Sequence, residues 1–207
     1  MLSMKKLFTE GFGTFFFTVA VGVTVDPIAV GFILIVLTYL AADISVAHFN
    51  PAVSLAAWIR NKINLPELTL YLSGQIAGAI LGGLFVWWIS TTTFLPQPDP
   101  ATRTFQFIAT ELLFSFLFVL LFLQIMYPPS GKRNPVFGFL IGTGFAGCYL
   151  VSLNISGAGL NPAMNSGFAI LEYINSGYGL QDLPIYILTP AIGAIAAAYA
   201  HRWISDD

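Results

Sequence analysis

The chain has 207 residues, of which 57% are hydrophobic and only 9% are charged. Its mean hydropathy is +0.80. Because soluble domains carry roughly 25% charged residues, this composition excludes an ordinary soluble protein and indicates a membrane protein. The formal net charge is −2 and no run of Lys or Arg occurs, which excludes nucleic acid as a partner.

Six apolar segments are long enough to cross a bilayer, whose hydrocarbon core takes about 20 helical residues. In chain order they cover residues 7–25, 28–47, 68–90, 105–126, 136–155 and 183–203. The first follows Lys5 and Lys6 as a signal peptide would, but Glu10 lies inside it and no small-residue cleavage site follows. We therefore interpret it as a true span, and we expect an all-α membrane protein with six transmembrane helices.

The basic residues predict the orientation of these spans. If the N-terminus is cytoplasmic, six spans return the C-terminus to the same side, and only Arg103 of the 8 Lys and Arg residues then lies outside. Membrane proteins carry an excess of Lys and Arg in their cytoplasmic loops. Together with the short loops and the missing targeting sequence, this predicts a prokaryotic inner-membrane protein with both termini in the cytoplasm.

Two shorter segments, 51–60 and 162–171, each begin with the triplet Asn-Pro-Ala. The triplets are Asn50, Pro51 and Ala52, and Asn161, Pro162 and Ala163. Asn at the N-cap and Pro at the first helical position both favour the start of a helix. Ten helical residues cover about 15 Å, half of the hydrocarbon core. Two such half-helices that enter from opposite sides therefore meet near the middle of the membrane.

An internal duplication relates the two halves of the chain. Residues 6–19 resemble residues 107–120, which aligns Glu10 with Glu111 at a separation of 101 residues, whereas Asn50 and Asn161 are 111 apart. We place the extra residues in the segment 127–135. Three spans per half make the repeats inverted. We expect one channel domain over residues 1–207, with repeat one at 5–90, a linker at 91–104 and repeat two at 105–203.

Six spans, inverted halves and two half-helices that each start with Asn-Pro-Ala resemble the aquaporins, the major intrinsic protein family, over roughly residues 5–203. The resemblance implies a passive channel for water or small uncharged solutes in the lipid bilayer. It also implies a homotetramer with one pore per subunit, and no cofactor or energy coupling. By the same resemblance, Glu10 and Glu111 accept hydrogen bonds from the re-entrant loops, and His48 helps the first loop to present its carbonyl groups.

The paired asparagines have a physical role in such a pore. Between two facing helix N-termini, the amides of Asn50 and Asn161 can donate hydrogen bonds to a permeating oxygen, while the positive dipole ends repel cations and protons. The alternative is that both are ordinary N-caps, each contributing about 1 kcal/mol to helix stability. Two caps that meet inside the membrane would leave donors unsatisfied without a pore.

The outer constriction departs from the family pattern. Relatives usually have Arg directly after the second triplet, and this chain has Met164. Motif spacing maps the other selectivity-filter positions to Val30, Tyr149 and Ala158. Without Arg the filter loses fixed donors and a positive charge, so we expect it to be less polar and wider. Alternatively, Tyr149 and Met164 fill the space, and water passes slowly or not at all.

Three alternatives compete with a water channel, one of the same function class and two of other classes. The alternative of the same class is a facilitator for metalloid hydroxides or small organic solutes with little water transport. An ion-coupled secondary transporter can also use broken helices, but Glu10, Glu111 and Asp43 lie off the predicted pore axis. An enzyme needs a paired nucleophile and base, and the spans lack one, so we expect no catalytic residue. No metal site is expected either. Asp43 is expected near the cytoplasmic mouth, where its carboxylate can attract cations or pair with Arg60 or Lys62.

Overall fold

The structure is a computed structural model that describes residues 2–205. This range contains eight α-helices and no strand. They are α1 (Leu2–Thr24), α2 (Pro27–Ser45), α3 (Pro51–Ile59), α4 (Leu65–Ser90), α5 (Thr104–Met126), α6 (Phe137–Ser156), α7 (Pro162–Ser176) and α8 (Leu183–Ser205). Six of them, α1, α2, α4, α5, α6 and α8, are long and apolar enough to cross a membrane, which confirms the six predicted spans.

The helix starts follow the capping signals in the sequence. Asp26 Oδ1 accepts hydrogen bonds from the backbone N–H groups of Ile28 and Ala29 at the start of α2, both at 2.8 Å. Asn64 and Glu67 form a reciprocal capping box at the start of α4. These side chains satisfy backbone donors that have no partner inside the helix, and they explain why each helix begins where it does.

The second short helix is longer than predicted. It ends at Ser176 rather than at Leu171, because no Gly or Pro occurs between Leu171 and Gly177. Gly177 has φ of 77° and its N–H bonds to the carbonyl oxygen of Tyr173, which is the usual left-handed C-cap. The first short helix, α3, ends at Ile59, one residue before the predicted end.

Small residues allow the long helices to pack closely within the subunit. A Cβ on Gly74 of α4 would lie 2.6 Å from the carbonyl oxygen of Leu7 in α1. A Cβ on Gly31 of α2 would lie 2.8 Å from the carbonyl oxygen of Gly142 in α6. Close approach of this kind is how membrane helices gain packing contacts. These glycines therefore pack the helices of one subunit together.

The chain divides into a first half, α1 to α4, and a second half, α5 to α8, with the same order of long and short helices. Residues 25–26 connect α1 to α2, whereas residues 127–136 connect α5 to α6. The extra residues of the second half therefore lie where the sequence alignment placed them. The short helices α3 and α7 contact each other at their N-terminal ends, beside a central cluster of buried apolar side chains.

Candidate functional site

Asn50 and Asn161 cap the two short helices through their side-chain oxygens. Asn50 Oδ1 accepts a hydrogen bond from the N–H of Ala52 at 2.8 Å. Asn161 Oδ1 accepts from the N–H groups of Ala163 at 3.1 Å and Met164 at 3.4 Å. Pro51 and Pro162 occupy the first helical positions, as the sequence predicted. Because each oxygen faces its own helix, each amide nitrogen is directed away from it.

The two amide nitrogens bind the opposite halves of the molecule. Asn50 Nδ2 donates to the carbonyl oxygen of Leu160, and Asn161 Nδ2 donates to the carbonyl oxygen of Phe49, both at 2.9 Å. These reciprocal bonds join the loop before α3 (residues 46–50, the first loop) to the loop before α7 (residues 157–161, the second loop). An amide carries two N–H groups, so each Asn keeps one further donor.

Glu10 holds the first loop from α1. Its fully buried carboxyl group accepts hydrogen bonds from the N–H groups of His48 at 3.0 Å and Phe49 at 2.7 Å. The hydroxyl of Ser45, at the end of α2, donates to it at 2.6 Å. Gln75 of α4 adds a fourth donor at 2.8 Å. This one side chain therefore satisfies two backbone donors of the loop, those of His48 and Phe49.

Glu111 holds the second loop from α5 in the same way. It is also fully buried, and it accepts from the N–H groups of Gly159 at 2.9 Å and Leu160 at 2.8 Å. The hydroxyl of Ser156, at the end of α6, donates to it at 2.6 Å. The structure thus brings both predicted glutamates to the two loops, and it gives each of them two loop N–H groups and one serine hydroxyl as donors.

His48 connects the first loop to two further helices. One ring nitrogen, Nδ1, lies 3.0 Å from the hydroxyl of Ser54 in α3, and the other, Nε2, lies 2.7 Å from the hydroxyl of Tyr127. Gln75 Nε2 donates to the same Ser54 hydroxyl at 2.9 Å. Sequence reasoning missed Gln75 and Tyr127, because they are far from His48 along the chain and no local pattern marks them.

A narrow cavity of about 10 Å³ lies beside the Asn pair. Four phenylalanines line it, Phe17, Phe49, Phe118 and Phe145. The ring of Phe145 packs edge-on against those of Phe17 and Phe118, both at 5.0 Å between centroids. Sequence reasoning also missed these rings, although one signal was present. Phe17 and Phe118 are 101 residues apart, the separation of Glu10 and Glu111, and therefore occupy equivalent positions on α1 and α5.

The four predicted filter residues, Val30, Tyr149, Ala158 and Met164, are all 0% exposed. All four belong to the central buried cluster, to which all eight helices contribute. The hydroxyl of Tyr149 has no hydrogen-bond partner among residues 2–205. A water-sized sphere reaches none of the four side chains.

Asp43 does not pair with Arg60 or Lys62. Its carboxylate bonds to Arg133 at 2.9 Å, in the connection between α5 and α6. Arg60 instead donates from Nε to Nδ1 of His201 at 2.9 Å. The expectation was wrong because it considered only basic residues near in sequence, whereas the longer connection of the second half brings Arg133 to the end of α2.

A comparison with protein families shows which family the chain belongs to. The sequence model of the major intrinsic proteins matches residues 2–201. The chain belongs to the major intrinsic protein family. Like other members, it is a passive channel for water and small solutes and an integral multi-pass membrane protein, and it is not an enzyme.

Individual relatives of the family agree with this assignment. The chain is 34% identical to glycerol uptake facilitator protein-like 6 of Lactiplantibacillus plantarum, over 99% of this chain and 100% of that protein. It is 31% identical to a probable NIP-type aquaporin of Nicotiana alata, over 97% and 78% of the two chains. The X-ray structure of the aquaglyceroporin from Plasmodium falciparum matches with a TM-score of 0.83 at 18% identity, over 99% of both chains. That likeness confirms the predicted all-α channel fold.

Proposed function

We propose that the pore of this major intrinsic protein runs past Asn50 and Asn161. The observation that carries this proposal is the reciprocal bonding of the two Asn amides across the halves, beside a narrow cavity. Each amide keeps one N–H that can donate to the oxygen of a permeating molecule. The N-terminal ends of α3 and α7 face the same point, and their positive dipole ends repel cations and protons.

We further propose that Val30, Tyr149, Ala158 and Met164 form the selectivity filter. Their complete burial supports a filter that the side chains of Tyr149 and Met164 close in this conformation. Met has three rotatable bonds and a polarisable thioether, so it can move aside for a solute at little cost. Such a filter lacks the fixed positive charge of Arg and offers few donors to water.

The phenyl rings beside the Asn pair favour a second candidate within the same class. Phe17, Phe118 and Phe145 give water no strong hydrogen-bond partner, so hydration of this part of the pore is unfavourable. Solutes with some apolar surface are penalised less. This supports a facilitator for small polyols, amides or neutral metalloid hydroxides that passes little water.

Proteoliposomes test both candidates. We expect vesicles with the protein to take up glycerol or urea faster than empty vesicles, and to gain less in water permeability. The double variant Asn50→Leu/Asn161→Leu has side chains of similar size without donors, and we expect it to lose the solute uptake. Rates equal to those of empty vesicles for water, glycerol and urea would overturn the channel assignment.

We propose that the chain forms one channel domain, with inverted repeats at residues 5–90 and 105–203 joined by the linker 91–104, and that it assembles as a homotetramer. Many large apolar side chains on the outside of the helices are exposed in one subunit, which supports contact with lipid and with neighbouring copies. Native mass spectrometry of the detergent-solubilised protein tests the assembly. A monomeric mass in several mild detergents contradicts it.

We propose that both termini lie in the cytoplasm of a prokaryotic cell. Ion pairs support this orientation, because Lys6 pairs with Glu67 at the start of α4 and Arg133 pairs with Asp43 at the end of α2. Basic residues of two segments, the start of α1 and the connection between α5 and α6, thus lie at the same end of the bundle. A C-terminal green fluorescent protein fusion is expected to fluoresce, and a C-terminal alkaline phosphatase fusion is expected to be inactive. The reverse pattern overturns the orientation.

A further inference from the structure

The surroundings of His48 have a partial counterpart in the second half of the molecule. In the first half, the imidazole of His48 bonds to Ser54 and packs against the ring of Tyr71 at 5.0 Å. Positions 111 residues later hold Gly159 and Asn165. Tyr186 corresponds to Tyr71, because each hydroxyl donates to the carbonyl oxygen of the serine that ends the preceding long helix, Ser156 or Ser45.

In the second half, Asn165 occupies the position of Ser54, and it lacks the partner that His48 gives to Ser54. Gly159 has no ring to bond to it, and a Cβ there would collide with Tyr186 and lie 2.6 Å from Asn165 Nδ2. Asn165 is 1% exposed, and neither its amide nitrogen nor its amide oxygen has a hydrogen-bond partner among residues 2–205. A buried amide with both groups unpaired is unfavourable, and native proteins rarely keep one without a ligand or an ordered water.

Asn165 borders a small cavity on the outer side of α7. The cavity measures about 20 Å³, and one water molecule needs roughly 10–15 Å³. Its walls come from the linker between the halves, from α7 and from the start of α8. The lining residues that bear on its polarity are Gln97, Asn165, Gln181, Asp182 and Tyr186.

The cavity continues outward into a wider depression. The two share Gln97, Gln181 and Asp182, and the depression has a volume of about 460 Å³. Glu172 lies at its rim, and hydrogen bonds from Ser176 and Thr93 hold the pKa of this carboxyl group below its ordinary value. The entrance therefore carries carboxylate groups that accept hydrogen bonds and repel anions.

We propose that this cavity is a binding site for a single neutral hydroxyl group, distinct from the pore. The N–H and the carbonyl oxygen on the same side of the Asn165 amide can bind one hydroxyl together, which accepts from Nδ2 and donates to Oδ1. The hydroxyl belongs either to a water molecule or to a small alcohol that reaches in from the depression. Asn165 follows Met164 on α7, and adjacent helical residues point about 100° apart. The site therefore lies on a different face of α7 from the proposed filter residue Met164.

A structure of the wild-type protein at a resolution that shows ordered water tests the proposal directly. We expect density within hydrogen-bond distance of both Asn165 Nδ2 and Oδ1. Isolated density that is unchanged by added glycerol identifies water. Density that becomes continuous with a glycerol molecule identifies an alcohol. The absence of density there with and without glycerol overturns the proposal.

The variant Asn165→Leu gives an independent measurement, because Leu has a similar size and no polar group. If a bound hydroxyl satisfies the amide, exchanging both partners for an apolar side chain is nearly neutral, and the midpoint of thermal unfolding is expected to change little. An increase of about 5 °C or more exceeds the small gain that this exchange can give, and it would mean that both amide groups were unpaired, which overturns the proposal. Asn154→Leu, at an exposed position of α6, is the matched control.

Discussion

The first and second loops have the same backbone support but different side-chain support. In each, one glutamate of the first long helix accepts from two loop N–H groups and one serine hydroxyl. Beyond that, the first loop is connected through His48 to Ser54 and Tyr127, and Gln75 bonds to both Glu10 and Ser54. The shared bonds fix the positions of the two asparagines. The second loop shows that this does not require the additional bonds made by His48 and Gln75.

Within residues 2–205, the second loop has no equivalent network. Gly159 occupies the position that corresponds to His48. Pro190 on α8 corresponds to Gln75 on α4 in the alignment that relates Tyr186 to Tyr71, and proline has no side-chain donor. The second loop is also the one beside Met164 and Ala158, two of the proposed filter residues. We infer that the first half is the rigid side of the pore, and that adjustment of the filter takes place in the second half.

The largest effect is expected from removing the shared support. Glu10→Gln and Glu111→Gln each place an amide NH₂ against buried donors, and an unsatisfied buried group costs about 1–3 kcal/mol. Because the new NH₂ and the donor that it faces are both left unsatisfied, we expect both variants to lower the midpoint of thermal unfolding by roughly 10 °C or more. Glu10→Gln should lower it further, because Glu10 also accepts from Gln75.

Differential scanning fluorimetry in detergent measures these shifts. Asp43→Asn is the control, because it alters an ion pair at an exposed carboxylate, and such pairs contribute little to stability. If both glutamine variants unfold at the temperature of the control, the carboxyl groups do not hold the loops.

The next effect comes from making the first loop resemble the second. His48→Gly removes a buried ring together with its bonds to Ser54 and Tyr127, and we expect a loss of about 3 kcal/mol in the free energy of unfolding. The cavity that remains has the shape of an imidazole ring. Added imidazole should therefore restore part of the lost thermal stability of this variant and leave the wild-type protein unchanged. Equal stabilisation of both proteins would contradict the specific fit.

Some parts of the fold and of the site could be predicted from the sequence, and others could not. The spans and the starts of both short helices were predictable, because apolar length and the Asn-Pro pair are local signals. The two glutamates were predictable because the duplication repeats them at a fixed separation, although their role came from the resemblance to a family. The separation of 101 residues also relates Phe17 to Phe118, and that signal was overlooked.

The rest depended on contacts between distant segments. Tyr127 is 79 residues from His48, and nothing near either residue indicates their hydrogen bond. Arg133 meets Asp43 only because the connection between α5 and α6 folds back to the end of α2. The tight packing of Tyr149 and Met164 likewise depends on side-chain rotamers, which a list of filter residues does not determine.

A smaller effect on stability, with a larger one on transport, is expected at the filter. Met164 corresponds to Val53 in the first half, 111 residues earlier. Met164→Val shortens the side chain, so we expect glycerol and urea uptake into proteoliposomes to rise several-fold while stability falls by about 1 kcal/mol. Met126→Val, at a buried Met of α5, is the matched control and should leave uptake unchanged. Unchanged uptake in Met164→Val means that this side chain does not close the pore.

The smallest effect is expected from Tyr127→Phe, which removes one hydroxyl and leaves the ring in place. The loss of its bond to His48 should cost about 1 kcal/mol, or roughly 2–4 °C in the midpoint of thermal unfolding. Tyr39→Phe is the control, since its hydroxyl bonds to Pro135 in the same connection at an exposed position. In the His48→Gly background the Tyr127→Phe change should cost less, because the bond is already absent there. An undiminished loss in that background would show that Tyr127 stabilises the protein without His48. The bond between Tyr127 and His48 would then not be what distinguishes the first loop from the second.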